Sequence, residues 1–197
     1  MNSIDRSPLV SGWRILALLA GAKVWRIAQN IPSDPCPVCI GATYFVPERS
    51  RVIGLGPGPR DTMVQYECDG ITMPIARPGT SLDQPYAVGS VTATPASMMP
   101  AWAARVHIQV TGIVVFKPRD ILTNDDACLE LPMSVLPRLA SHIPQAQRAS
   151  ALLALMHLWR QEHGIHYGFE ADRIFWKVEF ERLQVASADA VLAAQAA

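Results

Sequence analysis

The chain has 197 residues, half of them apolar and 17% charged, with no net charge from 17 basic and 17 acidic side chains. That composition excludes an intrinsically disordered chain and gives enough material for one compact domain or two small ones. It also argues against a free-standing nucleic-acid binder, which is usually basic overall. The total hides an asymmetry. Residues 1–120 carry 11 basic and 8 acidic side chains and residues 121–197 carry 6 and 9, so the parts are +3 and −3. Arg makes up 14 of the basic residues. Its planar fork suits phosphates and base edges, although a GC-rich genome gives the same bias.

In chain order, Ser7-Pro8 reads as a helix start, with Ser7 as N-cap and Pro8 at the first helical position. The helix is expected to run to Leu19 and stop near Gly21. The apolar run Ile15–Ala22 is too short to span a bilayer. It resembles a signal-peptide core, but Trp13 and Lys23–Ile27 continue the helical pattern past it, so a cytoplasmic protein with no membrane partner is expected. Lys23–Gln29 is a further helical turn or a short strand.

Residues 34–70 have another texture. Thr43–Val46, Val52-Ile53 and Met63–Tyr66 are short β-prone runs between turn signals, with the loop GLGPGPR between the last two. The loop has neither the Lys-Ser/Thr of a P-loop nor the glycine spacing of a dinucleotide fingerprint. The module has little core of its own.

Residues 71–100 read as a long connection with one strand at most. Val106, Ile108 and Val110 then alternate with polar residues, which predicts a strand. Thr111-Gly112 is expected to turn, with Ile113–Phe116 returning as the second strand of a hairpin. Asp125-Asp126 reads as a turn, and the residues around Cys128 as a strand. From Pro132 helices are expected over 132–143, 145–162 and 170–183. Leu152, Leu155, Met156 and Trp159 share one face of the second.

The expected fold class is therefore α+β: an N-terminal helix with a small zinc-finger-like β module (1–70), a central Pro/Gly-rich connection and antiparallel hairpin (71–131), and a C-terminal helical bundle (132–197).

Cys36-Pro37-Val38-Cys39 is the sharpest motif. A C-x₂-C knuckle supplies two of the four ligands of a tetrahedral zinc site. A redox pair would normally open a helix, and here a turn into a strand follows. Cys68 is the natural third ligand, 29 residues after Cys39, and Ile71 stands where a fourth cysteine would be. Asp69, Cys128 or a distant His are the alternatives for the fourth, or the site is an empty remnant. Any zinc would be structural, folding a module that lacks a core. His157, His163 and His166 cluster without an HExxH pattern, and no nucleophile–base set or carboxylate pair marks an enzyme. Lys23, Arg26, Arg49, Arg51 and Arg60, interleaved with Trp25, Tyr44 and Tyr66, fit a nucleic-acid edge with stacking rings, and Lys117 and Arg119 form a second basic spot.

The order of these features carries a resemblance. Ser7-Pro8-Leu9-Val10 opens a helix; Cys36, Cys39 and Cys68 follow; then come a Pro-rich stretch, Thr111-Gly112 with Phe116 and Pro118, and a helical last third. This arrangement resembles the zinc-finger-bearing large subunit of type IV CRISPR effector complexes. The resemblance implies a non-catalytic subunit beside the guide-RNA 5′ end. It would read a short motif in the target-adjacent DNA duplex, with sibling subunits around it and a helicase partner acting afterwards. The rival expectations are a zinc-containing phage or plasmid accessory protein that binds a host protein machine, and a small zinc-ribbon nucleic-acid-binding regulator.

Overall fold

The computed structural model describes residues 5–6, 12–28, 35–58, 61–76, 93–116, 123–163 and 175–183. In chain order the elements are β1 (Asp5–Arg6), α1 (Gly12–Leu19), β2 (Val24–Ala28), β3 (Thr43–Phe45), β4 (Ser50–Leu55), β5 (Asp61–Tyr66), β6 (Thr72–Ala76), β7 (His107–Phe116), α2 (Asn124–Glu130), α3 (Ala151–His163) and β8 (Phe175–Leu183). The chain is thus mixed α+β. Hydrogen-bonded strand neighbours follow the orders β1-β3-β7-β8-β2 and β4-β5-β6. No helix among the described residues is long and apolar enough to cross a membrane.

The chain divides into two compact units. One comprises Met1–Ile15, Ala42–Gln109 and Arg182–Ala197; the other comprises Leu16–Gly41 and Val110–Glu181. In the first, β4, β5 and β6 form an antiparallel meander. The Gly-Pro-Gly loop closes its first hairpin, where Gly56 N–H donates to Asp61 O and Gly58 N–H to Asp61 Oδ2. Alternation along β4 and β5 turns Val52, Val64 and Tyr66 inward. They pack with Phe45, Met99, Ala103 and Ala104, and partly buried Ile75 and Trp102 cover the edge. Tyr66 Oη donates to Ala103 O at 2.8 Å, so the ring is buried without an orphaned hydroxyl.

In the second unit β2 pairs antiparallel with β8, Trp25 opposite Val178. Trp25 packs against Phe180 with the rings tilted by 50° and 4.6 Å between centroids, and Trp159 of α3 meets Phe175 edge-on at 4.9 Å. The segment Lys23–Gln29, open between helix and strand in the sequence, is strand β2. Helix α1 ends at Leu19 as expected, with Gly21 at φ 100°. Its expected start at Ser7-Pro8 lies outside the described residues.

Four expectations are corrected here. The hairpin at Thr111-Gly112 is one unbroken ten-residue strand, β7. Gly112 does not adopt the positive φ found at Gly21, Gly41 and Gly70; instead a Cβ there would lie 3.1 Å from Glu179 Oε2, so the glycine admits β8 rather than turning the chain. The helix expected over 170–183 is strand β8 from Phe175 on. Val178 and Phe180 are buried while Lys177, Glu179 and Glu181 alternate with them, a period of two. Residues around Cys128 are helical, not extended, because Asp125-Asp126 starts a helix. Thr123 Oγ1 accepts from Asp126 N–H and Asp126 Oδ2 accepts from Thr123 N–H, a reciprocal capping box. Finally, residues 133–139 form 3-10 turns around Pro137 rather than an α-helix.

Candidate functional site

Among the described residues, a dense group of polar side chains surrounds Arg105, which the sequence did not single out. The β5–β6 turn builds half of it. Gly70, at φ 71°, donates to Tyr66 O, Tyr66 N–H bonds Ile71 O, and Asp69 Oδ1 accepts from Ile71 N–H. Asp-Gly in a left-handed turn is a hairpin signature. The Cys68-Asp69-Gly70-Ile71 stretch is therefore a tight turn that presents Cys68 and Asp69 on one side. Glu48, just before β4, is held by its N–H on Met99 Sδ.

The Arg105 guanidinium bridges these pieces. Its Nε and Nη2 donate to Glu48 Oε1 and Oε2 at 2.9 and 2.8 Å, and its Nη1 and Nη2 to Asp69 Oδ2 and Oδ1 at 2.9 and 3.1 Å. Nη2 also lies 3.0 Å from Cys68 Sγ, and the thiol donates to Glu48 Oε2 at 3.1 Å. The Tyr66 ring sits 4.2 Å from the guanidinium carbon. Exposure of the three charged side chains is 5% for Arg105 and 1% each for Glu48 and Asp69. Burial alone would weaken the Arg105 charge, but the bonds to Glu48 and Asp69 outweigh it and hold the guanidinium firmly protonated. Burial, and then the charge and hydrogen bond of Glu48, push the Cys68 thiol far above its usual range, although Arg105 pulls the other way. In this arrangement the Cys68 thiol donates to Glu48, and its thiolate form is disfavoured. The cluster is a cross-link with an ion pair at each end.

This geometry bears on Cys68 as an expected zinc ligand. A metal ligand must be a thiolate, and Cys68 already has a guanidinium at 3.0 Å where a cation would approach. Among the described residues no group of three or more His, Cys, Asp or Glu side chains is placed to hold a metal. No disulfide joins the cysteines.

The basic residues separate. Lys23 is exposed, its N–H on Leu129 O. Arg49 is exposed and pairs with Glu67 at 3.2 Å; Arg51 is exposed and donates to Gln65 Oε1 at 2.7 Å. Arg26 is not at a surface at all: it is 1% exposed and bonded to buried Glu130 at 2.6 Å, its guanidinium 5.1 Å from the Phe116 ring. Arg60, Lys117 and Arg119 lie outside the described residues. The rings expected to stack on bases, Trp25, Tyr44 and Tyr66, are all buried.

No family model, no curated protein and no solved structure matches this chain.

His107, at the start of β7, is 3% exposed, and neither ring nitrogen has a hydrogen-bond partner among the described residues. Burial lowers its pKa below the ordinary histidine value. The unfolded chain then takes up a proton near pH 6.5 that the folded chain resists, so this contribution falls as pH drops through that value. The urea midpoint should decline between pH 7 and 5. In His107→Leu that part of the decline should vanish, with stability at pH 7 preserved or raised, because two orphaned nitrogens are gone. A slope identical to wild type would place the titration elsewhere.

Proposed function

We propose that this chain is a non-catalytic subunit of a nucleoprotein assembly, and in its specific form the large subunit of a type IV-like RNA-guided CRISPR effector complex. It would act in the cytoplasm with guide RNA, target duplex, sibling effector subunits and a helicase partner, itself making and breaking no bonds. The order of motifs supports the specific form. The observation that carries the general one is the outer side of β4. There Arg51 stands exposed beside Ile53 and Leu55, 48% and 78% exposed, with exposed Arg49 at the head of the strand. Large apolar side chains flanked by guanidinium groups suit a surface that a partner covers while the charges meet phosphates. Few such contacts suffice where base pairing supplies the sequence specificity.

The test is a tagged pull-down from the native host with RNA extraction from the eluate. A uniform guide-length RNA with a repeated protein ladder is expected; the chain alone, without RNA, sinks the reading. Within the assembled complex, Arg49→Ala with Arg51→Ala should weaken duplex capture and lower the salt slope by about two, roughly one for each phosphate contact. The fold should be retained, since exposed ion pairs contribute about 0–1 kcal/mol.

A second reading has its own support. Burial of Trp25, Tyr44 and Tyr66 leaves the expected stacking platform unbuilt, which favours an accessory protein that docks on a protein machine through the same apolar strip. That protein would bind its partner with no salt-dependent duplex capture.

A further inference from the structure

We propose that Gly112, Val114 and Phe116 of β7 form a strand-pairing edge at which two copies of this chain join antiparallel, about a two-fold axis at Val114.

The direction of the backbone comes first. One side of β7 meets β3: Val46 N–H donates to Val106 O, Tyr44 pairs with Ile108, and Gly41 N–H donates to Val110 O. Alternation along an unbroken strand sends the N–H and C=O groups of Gly112, Val114 and Phe116 to that same side. The β3 pairing reaches no further than Thr43 opposite Gln109, and the strand order places only β3 there. Among the described residues these backbone groups therefore have no partner across the edge.

The side chains leave the edge uncovered. Val114 is 54% and Val115 48% exposed, and successive residues point to opposite faces, so the strand is open on both. Exposed edges are ordinarily blunted by Lys, Pro or an inward charge. Thr111-Gly112-Ile113-Val114-Val115-Phe116 has none of these and is rich in β-branched residues.

The occupant follows from the sequence of the edge. The segment is neutral, so a copy meets no like charge across it. Centred on Val114, antiparallel pairing sets Val114 against Val114 and Gly112 against Phe116 on either side of the axis, each pair exchanging two N–H···O=C bonds. The smallest residue of the segment then faces the largest, an aromatic ring beside a glycine of the neighbouring strand. The fit is reciprocal, as an isologous two-fold contact requires, and it closes at two copies.

The experiment uses the purified full-length chain, its molar mass followed by sedimentation over a range of concentrations. A concentration-dependent dimer is expected. Val114→Lys and Val114→Glu, at a position already exposed, should each be monomeric with the far-UV circular dichroism of wild type, because like charges would face each other across the axis. Mixing the two should restore a dimer holding one copy of each. If a variant fails to fold, hydrogen exchange on wild type decides: the amides of Gly112, Val114 and Phe116 should gain protection as concentration rises. A wild-type monomer at every concentration, a dimer that persists in Val114→Lys, folded variants that stay apart when mixed, or exchange at these amides that ignores concentration would each overturn the proposal. A monomer with freely exchanging amides would assign the edge to a strand of another protein. No RNA or partner protein enters the measurement, so its failure is distinct from failure of the effector-complex reading.

Discussion

Arg105→Ala is expected to cost about 3–5 kcal/mol of unfolding free energy, enough to leave a typical domain marginal. The loss comes less from missing attraction than from what stays behind. Glu48 and Asp69, each 1% exposed, would remain buried with no cation between them. Arg105→Lys should recover only part, because an ammonium cannot make paired bonds to two carboxylates at once. Cys68→Ser should be the mildest of the three, since a hydroxyl can still accept from Arg105 and donate to Glu48. Urea unfolding at pH 7 gives the order. If Arg105→Ala matches wild type, the cluster is not the cross-link of its unit.

Local signals in the sequence carried the elements whose causes are local. Gly21 ends α1, the Gly-Pro-Gly loop joins β4 to β5, and Leu155 and Trp159 bury the face of α3 that their spacing predicts. The errors arose where a distant partner decides. Gly112 looked like a turn because Glu179, 67 positions on, could not be seen. Phe175–Leu183 fits a helix or a strand by composition, and pairing with β2 selects the strand. The Arg105 site was illegible for the same reason. Its partners Glu48, Asp69 and Cys68 lie 57, 36 and 37 residues away, and no short motif ties them together. One signal was present: Asp69-Gly70 marks a hairpin turn, which competes with reading Cys68 as half of a knuckle.

Arg26 shows how such a partner inverts a functional reading, and it yields the second large expected effect. Beside Lys23 and Trp25 it looked like part of a basic edge. In the fold Arg26 Nη1 bonds Glu130 Oε2 at 2.6 Å and its backbone N–H reaches Oε1 at 3.2 Å, tying β2 to α2. Both side chains are fully enclosed. Arg26→Met should therefore cost about 3–5 kcal/mol by stranding the Glu130 carboxylate, and Glu130→Leu should cost a comparable amount by stranding the guanidinium. The double variant should recover most of that loss and could exceed wild type by about 1–4 kcal/mol, because two apolar side chains of similar volume carry no desolvation penalty. The cycle of four proteins, unfolded in urea, gives the coupling directly. A double variant as unstable as the sum of the singles would mean that neither charge depends on the other. The same set separates structure from recognition. If the proposed function holds, any refolded double variant should capture duplex as wild type does, whereas the Arg49 and Arg51 substitutions should weaken capture with stability unchanged.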